Sequence, residues 1–134
     1  MKLLLDTHIL LWSFFESDEL SATARDLLLD PENSPYASVV SLWEIALKEK
    51  AHPGSMIISE DMAADLCDDA GFGRWNITSK HVLSLSGLSR RDNTPPHKDP
   101  FDRLLLAQAK AEDAVLVTHD RRLSEYENVR VMLV

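Results

Sequence analysis

The sequence predicts an α/β fold in three layers, a central parallel sheet of four or five strands flanked by helices. Three observations carry this. Two short apolar runs, "LLLD" at 3–6 and "AVLVTHD" at 114–120, each end in an aspartate, as suits buried parallel strands whose last residue emerges at the sheet edge. Strand-like runs alternate with helical ones along the chain, the order that builds a parallel sheet covered on both faces. The 134 residues match one domain, enough chain to bury roughly 68% of its unfolded surface, so residues 1–134 are read as a single domain.

Each element follows from its own pattern. After the first strand, "THILLWSFFES" continues as a strongly apolar helix with Thr7 as its cap. Ser21 opens a second helix, "SATARDLLLD", which Pro31 ends, and the two helices read as a hairpin. A short extended piece near Tyr36 to Ser38 leads into a helix through about Lys50, because Val40, Trp43 and Leu47 recur on one face and "HPG" closes it. Ile58, Met62, Leu66 and Ala70 form the stripe of a further helix with Gly71 at its C-cap. "RWNI" at 74–77 is a short strand, and Thr78 or Ser79 caps the helix "KHVLSLSGL". Residues 89–98, with paired prolines, form the one substantial loop. A helix over 99–113, the apolar run at 114–120 and a final strand, "NVRVMLV", complete the chain.

Composition narrows the function classes. Hydrophobic residues make up 45% and aromatics 7%, values of a folding globular chain. Cys67 stands alone, which excludes an internal disulfide and a multi-cysteine zinc site and fits a reducing, cytoplasmic setting. Asp6 and His8 interrupt the N-terminal apolar run, so it reads as mature structure rather than a signal peptide. No segment reaches the roughly 18 apolar residues of a membrane span. The net charge of −8, from 22 acids against 14 basic residues, argues against a nucleic-acid partner unless clustered acids hold cations that cancel it.

The acids are placed as if they do. Ligands of parallel α/β sheets bind outside the carboxyl ends of the strands, where Asp6 and Asp120 both fall. Glu44 is the only acid in the apolar turn "SLWEIALK", and Asp102 precedes a helix face dense with leucine; isolated charge is costly in both settings. Plainer roles remain open for each. Asp6 can cap the following helix, Glu44 can pair with Lys48 four residues on, and Asp120 can form an Asx-turn. Asp99, followed by Pro100, reads as a helix cap. Two carboxylates about 5 Å apart repel by roughly 3 kcal/mol at an effective dielectric of 20, so four converging acids require a cation. An all-oxygen set suits Mg²⁺ or Mn²⁺, and the five histidines show no ligand spacing.

Taken in order, "LLLDTHILLW", "SVVSLWEIALK", "HKDPFDRLLLAQA" and "LVTHD" resemble the motifs of the PIN-domain family, and within it the VapC-type ribonuclease toxins of toxin–antitoxin pairs. The match spans nearly the whole chain. The resemblance implies an acidic quartet of Asp6, Glu44, Asp102 and Asp120 as catalytic metal ligands, with Asp99, Thr7 and Thr118 in support. It implies metal-assisted hydrolysis of an RNA phosphodiester by water, leaving a 5′-phosphate and a 3′-hydroxyl. Lys98, Arg103, Arg121 and Arg122, with Arg90 and Arg91, are expected to guide RNA phosphates. The implied partners are an RNA substrate, a cognate antitoxin and a second copy in a homodimer.

Other classes fit less well. A haloacid-dehalogenase-type phosphatase needs a second acid where His8 stands, and a response-regulator receiver pairs acids beside its first strand. The non-enzymatic alternative is a PIN-fold module that binds a protein or RNA without cleaving it. The first helix has so little polar surface that Leu11, Trp12 and Phe15 are expected to line a groove for an antitoxin peptide or a dimer contact.

Overall fold

The computed structural model describes residues 1–134 except 93 and 96. At its centre lies β1 (Lys2–Leu5), whose three leucines have no exposed surface. Helices cover both faces of this strand, which is why its apolar run shows no alternation. β1 pairs in parallel with β2 (Ser34–Ser38) on one side and with β4 (Val115–Thr118) on the other. β3 (Gly73–Trp75) and β5 (Val131–Leu133) extend the two edges, again in parallel, giving the order β3-β2-β1-β4-β5. The sheet therefore takes the five-stranded form of the expected fold.

The chain lays β2 and β3 on one side of β1, then β4 and β5 on the other, so the strand order switches between β1 and β4. A crevice opens beyond the carboxyl ends of strands at such a point. The Asp6 N–H donates to the Val117 carbonyl at 3.0 Å, which fixes Asp6 beside the end of β4.

Among the described residues, six helices surround the sheet: α1 (Thr7–Phe14), α2 (Ala22–Leu29), α3 (Val39–Ala51), α4 (Glu60–Ala70), α5 (Ser79–Leu83) and α6 (Pro100–Ala111). Side-chain alternation along the strands divides the core. Leu3, Leu5, Val115 and Val117 meet Ile9, Leu10, Leu20, Ala24 and Cys67 on one face. Leu4 and Leu116 meet Val40, Leu105, Leu106, Ala109, Leu123 and Tyr126 on the other. A third cluster, Leu11, Ile45, Met56, Ile58 and Ala63, ties α1 to α3 and α4. Each fully buried leucine contributes about 1.5–3 kcal/mol, and burying β1 on both sides holds its last residue rigidly at the crevice.

Local signals place most boundaries. Ser21 accepts from the Ala24 N–H, Ser59 from the Met62 N–H, and Gly71 closes α4 at a left-handed φ of 74°. Thr78 opens α5 through a capping box in which its own N–H donates to His81 Nδ1 at 3.0 Å. The polar stretch over 89–98 is largely irregular, with Arg90 bridged to Tyr126 in antiparallel fashion; its residues 93 and 96 lie outside the described residues.

Several readings need refinement. Of the two caps the sequence offers for α1, the structure uses Asp6 rather than Thr7: the Asp6 carboxylate accepts the Thr7 N–H. The inward face of α3 is Val40, Ser41, Glu44 and Ile45, while Trp43 and Leu47 are 48% and 45% exposed. Ser41 and Glu44 are buried because they have polar partners there, and Trp43 instead lies edge-on to Phe101 at 4.7 Å. In α4 the buried residues are Ala63 and Cys67, with Met62 half exposed; the small side chains face α1 and α3. Finally, the chain forms a 3-10 turn over Arg121–Glu125 that the sequence pattern did not announce.

Candidate active site

Every predicted acid reaches the crevice at the ends of β1 and β4. Asp6, Glu44, Asp99, Asp102 and Asp120 line one cavity of about 470 Å³, together with His8, Trp12, Lys48, His119 and Arg122. Five carboxylates thus face two permanent cations.

Four elements deliver the five acids, Asp99 and Asp102 both standing at the start of α6, and each acid meets different partners. Asp6 leaves β1 and accepts the Thr7 N–H at 2.8 Å and the Thr118 hydroxyl at 2.6 Å. Burial raises its carboxyl above the ordinary value, against these hydrogen bonds and with help from the Glu44 charge. Glu44 comes from α3, is 4% exposed, and is ion-paired with Lys48 one turn further on. The plain helix-pair reading of Glu44 therefore holds at the same time as its place on the cavity.

Asp102 sits in the first turn of α6, with its side chain 12% exposed and Oδ2 3.0 Å from His97 Nε2. Burial, then the charges of Asp6, Asp99, Glu44 and Asp120, push its carboxyl up to about 8. Asp120 caps the 3-10 turn and accepts the Arg122 N–H at 2.9 Å. The Arg122 guanidinium grips both its oxygens, with Nη2 at 2.7 Å, and this contact holds the carboxyl below the usual range. Asp99 is the cap expected of it: its Oδ1 accepts from the N–H groups of Phe101 and Asp102 at 2.9 and 3.1 Å, with Pro100 in the first helical position.

The supporting threonines differ. Thr118 joins two acids, donating to Asp6 and accepting the Asp120 N–H at 3.0 Å. The Thr7 hydroxyl instead meets the Ser41 hydroxyl at 2.9 Å, so Thr7 serves Asp6 through its backbone alone. Sequence reasoning set His97 and His119 beside the site but missed Lys48 and His8 as members of the cavity, His97 as the holder of Asp102, and Ser41 as the partner of Thr7. Lys48 was legible from its i+4 spacing; His97 was not, since nothing local ties a loop histidine to a helical acid.

The donor set can be tested against the implied divalent cation. It consists of carboxylate oxygens, the chemistry of Mg²⁺ and Mn²⁺ sites, and one member, Asp102, is driven toward protonation first by burial and then by the charges of its neighbours. Among the described residues, no three acids, histidines or cysteines stand in a ready-made ligand cluster. The reason is visible in the partners: Lys48, Arg122, His97 and Thr118 each draw one carboxylate aside. The residues present fit a divalent cation, which would compete with Lys48 and Arg122 for Glu44 and Asp120.

The basic residues expected at the rim divide. Arg122 is engaged with Asp120, Arg121 is exposed beside it, and Lys98 and Arg103 are exposed without lining the cavity. Leu11, Trp12 and Phe15 line a separate cavity of about 410 Å³ on the far side of His8, with Met56 and Ile57 opposite.

A parallel α/β sheet whose switch-point crevice gathers five carboxylates is an acidic-site scaffold. The chain belongs to the PIN domain family, whose sequence model matches residues 3–129. No curated protein sequence matches it significantly. Among solved structures it is similar to VapBC2 from Rickettsia felis bound to a promoter DNA fragment, with TM-score 0.68, 18% identity, and coverage of 99% of this chain and 98% of that one. It is also similar to DNA-bound VapBC from Salmonella typhimurium, with TM-score 0.66, 14% identity and coverage of 98% and 97%. A third likeness is to FitAcB from Neisseria gonorrhoeae, with TM-score 0.63, 17% identity and coverage of 97% and 96%. The expected family and fold are borne out. No helix among the described residues is long and apolar enough to cross a membrane.

Proposed function

We propose that this chain is a single-domain, metal-dependent endoribonuclease, the toxin of a toxin–antitoxin pair, acting in the cytoplasm. The observation that carries the proposal is the convergence of Asp6, Glu44, Asp102 and Asp120, with Asp99 at the rim, on one crevice where Asp102 is held near a pKa of about 8. Asp6, Glu44, Asp102 and Asp120 would hold Mg²⁺ or Mn²⁺. Such an ion, when bound, supplies the positive charge that activates water and stabilises the phosphate during hydrolysis. The chain's own part is positioning. Thr118 and the Thr7 N–H orient Asp6, His97 orients Asp102, and Lys48 and Arg122, paired here with Glu44 and Asp120, are the cations on the cavity that would meet the RNA phosphate. Arg121, Lys98 and Arg103 extend the basic rim around it.

The test is cleavage of single-stranded and structured RNAs by purified protein with Mg²⁺ or Mn²⁺, with EDTA, and with Asp6→Asn. Metal-dependent cutting that leaves 5′-phosphate ends and vanishes in both controls is the expected result. The absence of cleavage on any RNA, total RNA with intact ribosomes included, would favour the second reading, a PIN-fold binding module. That reading draws on the internal ion pairs of Glu44 and Asp120, which neutralise two of the acids without metal.

A partner surface fits beside Trp12. Phe15 and Ile57 are 48% and 73% exposed on one apolar groove, and Ile57 holds a φ of 72°, costly for a β-branched side chain. VapBC-5 from Mycobacterium tuberculosis, another similar structure, belongs to a family of toxin–antitoxin systems, and we infer an antitoxin segment here and a homodimer elsewhere on the surface. Trp12→Ala and Phe15→Ala variants that stay folded should bind the antitoxin more weakly; unchanged affinity would displace the site.

A further inference from the structure

Beside the acidic crevice lies a second cavity of about 290 Å³, lined by Arg90, Thr94, His97, Arg121, Arg122 and Glu125 among others. The two cavities share Arg122, and His97 forms the wall between them, with Nε2 on Asp102 at 3.0 Å. Arg90 is held firmly here. Its backbone bridges to Tyr126, the next N–H donates to the Glu125 carbonyl at 3.0 Å, and its guanidinium lies 5.2 Å from the centre of the Tyr126 ring.

The chemistry of this cavity is incomplete. Arg90 Nε and Nη1 are shielded from solvent and, among the described residues, have no hydrogen-bond partner; the same holds for His97 Nδ1, on a side chain only 2% exposed. A buried donor left unpaired costs about 1–3 kcal/mol, and more when it is charged, so a guanidinium held this way would be stabilised by an acceptor that enters the cavity it lines. Arg121 adds a second positive charge and forms no ion pair among the described residues. Glu125 offsets one charge without pairing to either arginine.

We propose that this cavity is a phosphodiester subsite. Arg90 and Arg121 bind the phosphate of a nucleotide neighbouring the one presented to the acidic crevice. This rests on the ribonuclease reading above and adds to it the direction in which the strand leaves the acids, past His97 toward Tyr126. A strand crossing five carboxylates needs compensating positive charge on its flank, and this is the cavity next to the acids where guanidinium donors stand unpartnered. The contact is to backbone phosphate, so it is indifferent to base sequence.

The experiment uses the Asp6→Asn variant of this chain, chosen to suppress turnover, and a fluorescein-labelled single-stranded RNA of mixed sequence read by anisotropy across a salt series. Arg90→Gln and Arg121→Gln are each expected to weaken binding about tenfold, the loss of one charge-assisted hydrogen bond. Each should also reduce the slope of log K against log salt by about 0.7, one single-strand phosphate contact. Arg130→Gln, which removes an equal charge paired to Asp113, should do neither. Parental affinity and slope in both variants, with the parent binding RNA, overturn the subsite and leave the ribonuclease reading standing. No RNA binding by the parent overturns both. If Arg90→Gln fails to fold, the solvent-exposed Arg121→Gln decides alone. Loss of a protein partner's binding in these variants, with RNA binding intact, also overturns the proposal.

Discussion

Replacing Asp102 with Asn should make the metal-free protein more stable, by an amount that grows with pH. The carboxyl of Asp102 moves from an ordinary value of 3.8 to about 8 in the folded chain. Between those values the native state holds a proton that the unfolded state has lost, and stability falls by about 1.4 kcal/mol for each pH unit. The stabilising contribution of the protonated form is thus complete below 3.8 and gone once pH passes about 8. From pH 5 to 8 the wild type should lose about 2–4 kcal/mol that Asp102→Asn does not lose; the upper figure applies if Asp102 titrates alone, the lower if its neighbouring acids share the proton. At this chain length that corresponds to roughly 10 °C in Tm. Asn keeps the shape of the neutral acid, so packing is conserved. Urea denaturation in EDTA at pH 5, 6.5 and 8 measures the difference directly. A stability gap that is flat across this range, or an Asp102→Asn protein less stable than wild type at pH 8, would refute the reasoning.

Further outcomes follow from the same geometry. Thr118→Val keeps the shape but removes the hydroxyl that links Asp6 to the Asp120 backbone; it should cost about 1–3 kcal/mol in thermal or urea melts and reduce turnover of any RNA substrate. Added Mg²⁺ at a hundred times its Kd should stabilise the wild type by about 2.7 kcal/mol, and calorimetry should show this gain lost in Asp6→Asn. Glu112, held below its ordinary 4.5 by the His81 N–H at 2.7 Å, contributes stability above that value which is lost as pH falls through its lowered one. Glu112→Gln should therefore be less stable than wild type at pH 6, by up to about 1 kcal/mol, and the gap should close toward pH 3. A Cβ at Gly73 would stand 2.5 Å from two atoms of the Tyr36 ring. Gly73→Ala should destabilise by about 1–3 kcal/mol, and Tyr36→Leu in the same chain should recover part of it.

What the sequence determined by itself is local in origin. Leu3 to Leu5 and Val115 to Val117 are apolar without alternation because helices cover both faces of their strands, so the two central strands and the acids that follow them could be read directly. The caps at Ser21, Asp99 and Gly71 depend only on backbone groups two to four residues away. Tertiary structure alone decided the long-range partners of Asp6 and Asp102. Thr118 reaches Asp6 across 112 residues, and His97 turns back from a loop onto Asp102. It also chose the inward faces of α3 and α4, where buried Ser41 and Glu44 displaced Trp43 and Leu47 from the interior. The physical reason is the same in each case. The cost of burying a polar group is set by whatever stands opposite it, and a linear pattern of residues does not contain that neighbour.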